Sequence, residues 1–423
     1  MRILYSILMY LMTPLMFGYL ALRGFRDHRY WQGWGQRLGF GRPPEPPGGY
    51  LVHAASVGEV SAAAPLVRAL QERTENSRVL LTTLTPTGAA RARELLAEQA
   101  TVCFLPFDLP GATARFLRRH SPARLIVLET EIWPNLFHAA ARQGRPVVIA
   151  NARMSARSLR GYTRLGGWIR PALATVSNVL AQSEDDAARF RQCGAPPQKV
   201  AVTGNLKFDV RPPAAQAERA EALRAGWGVG RPTLVAGSTH PGDEAIILPA
   251  FSEVLAGFPG ALLILAPRHP ERFASVAARI RAQGLSLHQV SGQGTPSPGT
   301  QCLLVDRMGL LPDFYAAADV CFVGGTLEPL GGHNLLEPAV LGKPLLFGPH
   351  TANVLTVSEQ LLAAGAARRV SCPADFAAAV GELFADEELR NQMGRKALDL
   401  VAAGGGALER TLASIAALPE HPL

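Results

Sequence analysis

The sequence predicts an α/β protein of two doubly wound, Rossmann-like domains behind an apolar N-terminal helix. Three observations carry this. Short apolar runs alternate with amphipathic stretches from Tyr50 to Phe347, as they do when parallel strands are joined by crossover helices. The alternation breaks once, at Pro212-Pro213 and the glycines Gly226, Gly228 and Gly230. The chain has 423 residues, 48% of them hydrophobic, enough for two well-buried cores of ordinary size.

From Ile3 to Leu22 no residue is charged, and at about 1.5 Å per residue that length matches the roughly 30 Å core of a bilayer. Residues 1–22 are therefore expected to be a membrane anchor. Arg23, Arg26 and Arg29 follow with His28 among them, while only Arg2 precedes, which puts the rest of the chain on the cytoplasmic side. A cleaved signal peptide fits poorly, because the apolar run is long and no small-x-small site follows. Pro14 leaves a kinked segment in one leaflet as an open alternative. A buried core helix is the third reading. Residues 23–49, basic and then rich in aromatics, glycine and proline (Trp31, Trp34, Pro43, Pro44, Pro46, Pro47), read as an interfacial linker.

Residues 50–212 are expected to form the first domain, with strands at Tyr50, Val79, Val102, Leu125, Val147 and Val179. Residues 213–423 are expected to form the second, with strands at Thr233, Leu262, Leu303, Val320 and Leu345, then alanine-rich helices from Pro373. The polar stretch Ser291 to Thr300 reads as an exposed loop.

Net charge is +8 and the pI is near 9.6, which favours an acidic partner such as an anionic membrane or a phosphorylated substrate. No aromatic-basic RNA signature or finger motif supports nucleic acid. Five scattered cysteines (Cys103, Cys193, Cys302, Cys321, Cys372) without CxxC spacing argue against a disulfide framework or a zinc site, and for a reducing compartment. A P-loop and a GxGxxG after the first strand are both missing, so ATP hydrolysis and dinucleotide chemistry lose support. Ser183-Glu-Asp-Asp186 resembles a metal-binding triplet but reads better as a helix cap, so no metal and no cofactor are expected.

The stretch Gly324 to Pro338, GGTLEPLGGHNLLEP, follows a buried strand and leads into a short helix starting near Leu335. Glycines there let backbone approach a ligand, and the helix start suits an anion. A tight glycine-rich loop with a capped helix has the same local pattern. Glu59 opens a helical stretch after the first strand, with Pro65 expected to kink it or delay its start. A first-turn glutamate complementing the helix dipole is the plain alternative. His53, within the strand, reads as structural. Glu129 and Glu131 close a strand and share one face if it continues. Arg268 follows a buried strand and can fork onto a phosphate or carboxylate, though a surface arginine has the same pattern. Ser238, Thr239 and His240 occupy the matching position after the second domain's first strand. Arg153, Arg157, Arg160 and Arg164 recur at helical spacing, as a solvated basic face or a site for phosphates would.

Read together, HAASVGEV (His53–Val60), ETEIWPNL (Glu129–Leu136), GNLKFD (Gly204–Asp209), GSTHPGDE (Gly237–Glu244), APRHPERF (Ala266–Phe273) and the Gly324 stretch resemble the 3-deoxy-D-manno-octulosonic acid (Kdo) transferases of lipopolysaccharide synthesis. These are two-domain GT-B glycosyltransferases. The resemblance implies two domains facing a cleft, CMP-Kdo as donor, a lipid A precursor (lipid IVA) as acceptor, inversion, and an inner-membrane enzyme whose domains face the cytoplasm against anionic lipid. It implies Glu59 as general base, with Glu129 and Lys207 stabilising the transition state. It also implies a nucleotide site of Pro267, Arg268, Met308, Gly309, Leu310, Asn334, Leu335, Leu336 and Glu337. Many members have an acidic residue where this chain has Leu310, so only a backbone contact carries over there. A nucleotide-sugar epimerase of the same architecture and a non-catalytic sugar- or lipid-binding protein are the alternatives.

Overall fold

The computed structural model describes residues 1–41, 49–73, 79–209 and 215–418. The prolines at 43, 44, 46, 47, 212 and 213, and with them the expected boundary at 212/213, lie outside the described residues. The chain divides into two compact units, Met1–Asp209 with Gly404–Leu423, and Val210–Ala403.

The first unit is built on seven strands: β1 (Tyr50–His53), β2 (Val79–Thr83), β3 (Ala100–Phe104), β4 (Arg124–Leu128), β5 (Val147–Ala152), β6 (Asn178–Ala181) and β7 (Val200–Val202). All pair in parallel, in the order β3-β2-β1-β4-β5-β6-β7. Both faces are covered. Leu125 and Val127 of β4 enter one core, and Ile126 and Leu128 enter the opposite one, which is why the strand reads as an unbroken apolar run. Strand order reverses between β1 and β4, and in open sheets of this kind ligands bind outside the carboxyl ends at such a reversal.

The second unit repeats the plan with β8 (Thr233–Thr239), β9 (Leu262–Pro267), β10 (Leu287–Gln289), β11 (Cys302–Leu304), β12 (Val320–Val323), β13 (Leu345–Phe347) and β14 (Ala367–Arg369). Its order is β10-β11-β9-β8-β12-β13-β14, again parallel. The reversal here falls between β8 and β12. The short strands β7, β10 and β14 have no strong apolar run and are additions to the expected set.

Several expectations are corrected. The second domain was expected to run to residue 423, yet the helix Ala407–Ala416 packs in the first unit. Ala407, Leu412 and Ile415 fill the core beneath Val52 and Ile126, and Asp209 caps the helix by accepting from the backbone N–H of Gly406 and Leu408, each at 2.7 Å. Pro65 neither delays nor ends its helix, which spans Val57–Glu72. Part of the expected linker is ordered: Arg37 is buried, donates to the Leu84 carbonyl at 2.8 Å and stacks over Phe104. Of the four spaced arginines, Arg153 precedes the helix Ala156–Arg164, while Arg157, Arg160 and Arg164 lie on it, exposed.

The N-terminal helix, Arg2–Gly24, runs through Pro14 and is long and apolar enough to cross a membrane. Its contacts with the first unit run along its length. Tyr5 donates to Asp108 at 2.9 Å and Ser6 to Asn135 at 3.0 Å, Phe17 packs against Trp34 and Phe107, and Leu20 is buried. Ile3, Leu11 and Leu22 are 70–73% exposed.

Candidate active site

At the reversal of the first sheet, three carboxylates gather. Ser56 ends the β1 loop in extended backbone and caps the helix Val57–Glu72, its hydroxyl accepting from the Glu59 N–H at 3.3 Å. Glu59 answers: one carboxylate oxygen accepts from the Ala55 N–H at 2.9 Å, the other from the Ser56 hydroxyl at 2.9 Å. Glu59 thus sits in the first turn of the helix and closes a capping-box-like exchange with Ser56, reaching back to the Ala55 N–H, and each of its oxygens keeps a lone pair for another donor. Burial first, then the negative charges of Glu129 and Glu131, push the Glu59 pKa up against the pull of the Ala55 N–H. A raised carboxyl with no bonded cation among the described residues is suited to take up a proton more readily than an ordinary glutamate.

Glu129 and Glu131 follow β4, but the strand ends at Leu128 and Glu129 turns into left-handed backbone at φ 58. The expected shared strand face is thus broken. A non-glycine residue there costs about 1 kcal/mol or more, and such strain clusters at functional positions. Lys207 answers Glu129 at 3.5 Å. The GNLKFD segment is built to put it there: Asn151, itself at φ 51, accepts from the Leu206 N–H at 3.0 Å, and Asn205 accepts from the Lys207 N–H at 3.0 Å. His53, fully buried in β1, bonds Thr82 through Nδ1, and its Nε2 stands 3.9 Å from Glu131. The ring is thus fixed between Thr82 of β2 and the Glu131 carboxylate.

The proposed nucleotide residues lie at or beyond the carboxyl ends of β9, β11 and β12 in the second sheet, with β8 between β9 and β12. Pro267 ends β9, and the Arg268 N–H donates to the Thr239 carbonyl at 3.0 Å. The Arg268 guanidinium has no ion pair among the described residues. Met308 and Gly309 lie exposed in the loop after β11, with Gly309 at φ 87, and Leu310 caps the short helix Leu311–Ala316. After β12, Asn334 is exposed, its side chain accepting from the Leu336 N–H at 3.2 Å and donating to Glu337 at 3.4 Å. Leu335 and Leu336 are core residues, so only their backbone is available to a ligand. The helix expected near Leu335 is the single turn Leu336–Ala339, too short for a strong dipole argument.

Three features escaped sequence reasoning. Asp243 accepts from the N–H groups of His240, Gly325 and Leu327 at 2.9, 2.7 and 3.0 Å, tying the glycine loop to the β8 loop. Glu244, fully buried, is held by Arg272 at 2.6 Å. His240 and His333 meet at Nε2 to Nε2, 2.9 Å apart. The GSTHPGDE and APRHPERF segments contain His240, Asp243, Glu244 and Arg272, and the Gly324 stretch contains Gly325, Leu327 and His333, but only the fold pairs them.

Residues 32–210 match the family described as 3-Deoxy-D-manno-octulosonic-acid transferase (kdotransferase). A 3-deoxy-D-manno-octulosonic acid transferase of Haemophilus influenzae is 36% identical over 414 residues, 97% of each chain. One of Bordetella pertussis is 43% identical over 374 residues, 85% of each chain. Among solved structures, a UDP-GlcNAc 2-epimerase from Neisseria meningitidis bound to UDP-GlcNAc has a TM-score of 0.58 at 16% identity, covering 87% of this chain and 99% of that one. At that identity the likeness concerns the two-domain GT-B fold alone.

Proposed function

The chain belongs to the 3-deoxy-D-manno-octulosonic acid (Kdo) transferase family, and from that premise we propose that it moves Kdo from CMP-Kdo to a sugar hydroxyl of a lipid A precursor, with inversion and without a metal. Glu59 takes the proton of the acceptor hydroxyl, whose oxygen attacks the anomeric carbon as the C–O bond to the phosphate of CMP breaks. The observation that carries this is Glu59 itself: a half-buried carboxylate at the strand reversal of the first sheet, its pKa raised, and free of any bonded cation among the described residues.

Lys207, steadied by Glu129, supplies positive charge for the anionic groups of donor and transition state. Arg268, the Met308 to Leu310 backbone and the Asn334 to Glu337 turn hold the nucleotide. Met308, Gly309 and Leu310 act through main-chain groups, as do Leu335 and Leu336.

The N-terminal helix is read as an anchor lying in one leaflet. Contacts with the first unit spread from Tyr5 to Leu20 support a helix laid along the domain, with its exposed apolar side for lipid. The basic residues after it favour the cytoplasmic face and anionic lipid.

The test is transfer from CMP-Kdo to tetraacylated lipid A precursor in detergent, wild type beside Glu59→Ala, with products resolved by mass. A gain of one or more Kdo units, lost in a folded variant that still binds CMP, is expected. Absence of transfer by well-folded wild type would overturn the assignment.

A further inference from the structure

We propose that His333, held in one tautomer by His240, is a phosphate-binding donor that, with Arg268, takes the phosphate of the nucleotide; this rests on the nucleotide reading above. The two rings come from either side of the strand reversal in the second sheet, His240 after β8 and His333 after β12. They lie 8° from parallel with centroids 5.2 Å apart, and their Nε2 atoms are 2.9 Å apart.

Two neutral imidazoles make that contact only if one Nε2 has a proton and the other does not. His240 and Asp243 form a reciprocal capping box in which the His240 ring accepts from the Asp243 backbone N–H. With Nε2 turned to His333, the accepting atom is Nδ1. His240 is thereby the Nε2–H tautomer and donates to His333, which must place its own proton on Nδ1. That Nδ1–H has no partner among the described residues and is not sealed from solvent.

The surroundings select an anion for it. His333 faces His240, Arg268 and His269, and after burial these are what lower its pKa, to about 4. The carboxylates Asp243 and Glu328 lie by His240 instead, with His269 and Arg272. Asp243 is occupied by three backbone N–H groups and Glu244 by Arg272. The ring is thus neutral beside the Arg268 guanidinium, which has no ion pair among the described residues. Room for it is made by Gly325, at φ 68, where an added Cβ would come within 3.0 Å of the His333 ring.

In the transfer step the departing phosphate oxygen receives the electron pair of the breaking C–O bond. Charge grows on the phosphate while the acceptor's proton goes to Glu59. A fixed neutral N–H beside an arginine strengthens its hydrogen bond as that charge grows, and the imidazole keeps its proton.

Binding of CMP and of cytidine, by calorimetry on the full chain in detergent, separates this role from scaffolding. His333→Gln is expected to weaken CMP roughly tenfold or more and leave cytidine unchanged. His240→Ala, which removes the Nε2 donor and frees the tautomer, shifts the CMP-to-cytidine ratio the same way by less, and it decides the matter if His333→Gln does not fold. Equal losses for CMP and cytidine, or wild-type ratios in both variants, would overturn the proposal with the nucleotide reading intact. Wild type that binds neither ligand would overturn both.

Discussion

Lys207 holds its ammonium 3.5 Å from the carboxylate of Glu129, a residue whose own backbone is left-handed. The strand end is thus bent to present a charge that the lysine meets. Lys207→Met is expected to lower kcat by roughly 100-fold or more with a small change in Tm, since one preorganised charge is removed from a half-exposed pair. Single-turnover kinetics beside thermal melting checks it. A fall in KM-linked binding alone would assign Lys207 to the ground state.

Glu129→Gly separates strain from function. Glycine accepts φ 58 without the Cβ penalty, so the variant should be as stable as wild type or more so, by up to about 1 kcal/mol, while transfer collapses. Glycine at an unstrained strand end would cost stability instead. Denaturant unfolding gives the sign.

The raised Glu59 carboxyl makes two opposite pH trends. Its folded pKa lies above the unfolded value, so the folded protein holds the proton more tightly, and stability falls as pH rises from the ordinary glutamate range through the raised pKa. Activity rises through the same window, because the base must be ionised. Glu59→Gln should abolish that part of the stability slope and lower kcat by roughly 100-fold or more. Glu129→Gln should move the acid limb of the wild-type rate profile to lower pH, since one of the charges raising the pKa is gone.

Arg272→Ala would strip the closest cation from Glu244, which is fully buried. The expected loss is about 3 kcal/mol, toward the low end because Thr239 donates at 3.2 Å and Arg279 remains at 3.7 Å. Arg272→Ala with Glu244→Gln should recover most of it.

Gly324→Ala should abolish CMP binding, since the added Cβ would fall 2.4 Å from the Ser238 carbonyl oxygen and force the β8 and β12 loops apart. Gly257→Ala, in open space at the end of a helix, is the control and should bind normally.

Much of the architecture was legible because strands covered on both faces must be apolar throughout: β4, β9 and β12 stand out as runs for that reason. β7, β10 and β14 did not, being three residues long and partly exposed at or near sheet edges. Glu59 and Arg268 stand out as candidates by their positions after strands, but the same positions fit a first-turn glutamate and a surface arginine, and only the family resemblance separates the readings. The links that organise the sites join distant positions, such as Asp243 with Gly325 and His240 with His333, and no local period marks them. Glu129 misled through its spacing with Glu131, because alternation along a strand says nothing about where the strand stops.

The return of the helix Ala407–Ala416 to the first unit sets an order of events during synthesis. The domain that begins first is finished last, since Asp209 must wait for nearly two hundred further residues before Gly406 and Leu408 arrive to be capped. Until then the apolar surface around Val52 and Ile126 lacks its cover. A nascent chain halted before Ala407 would present that surface to chaperones while its second domain is already whole.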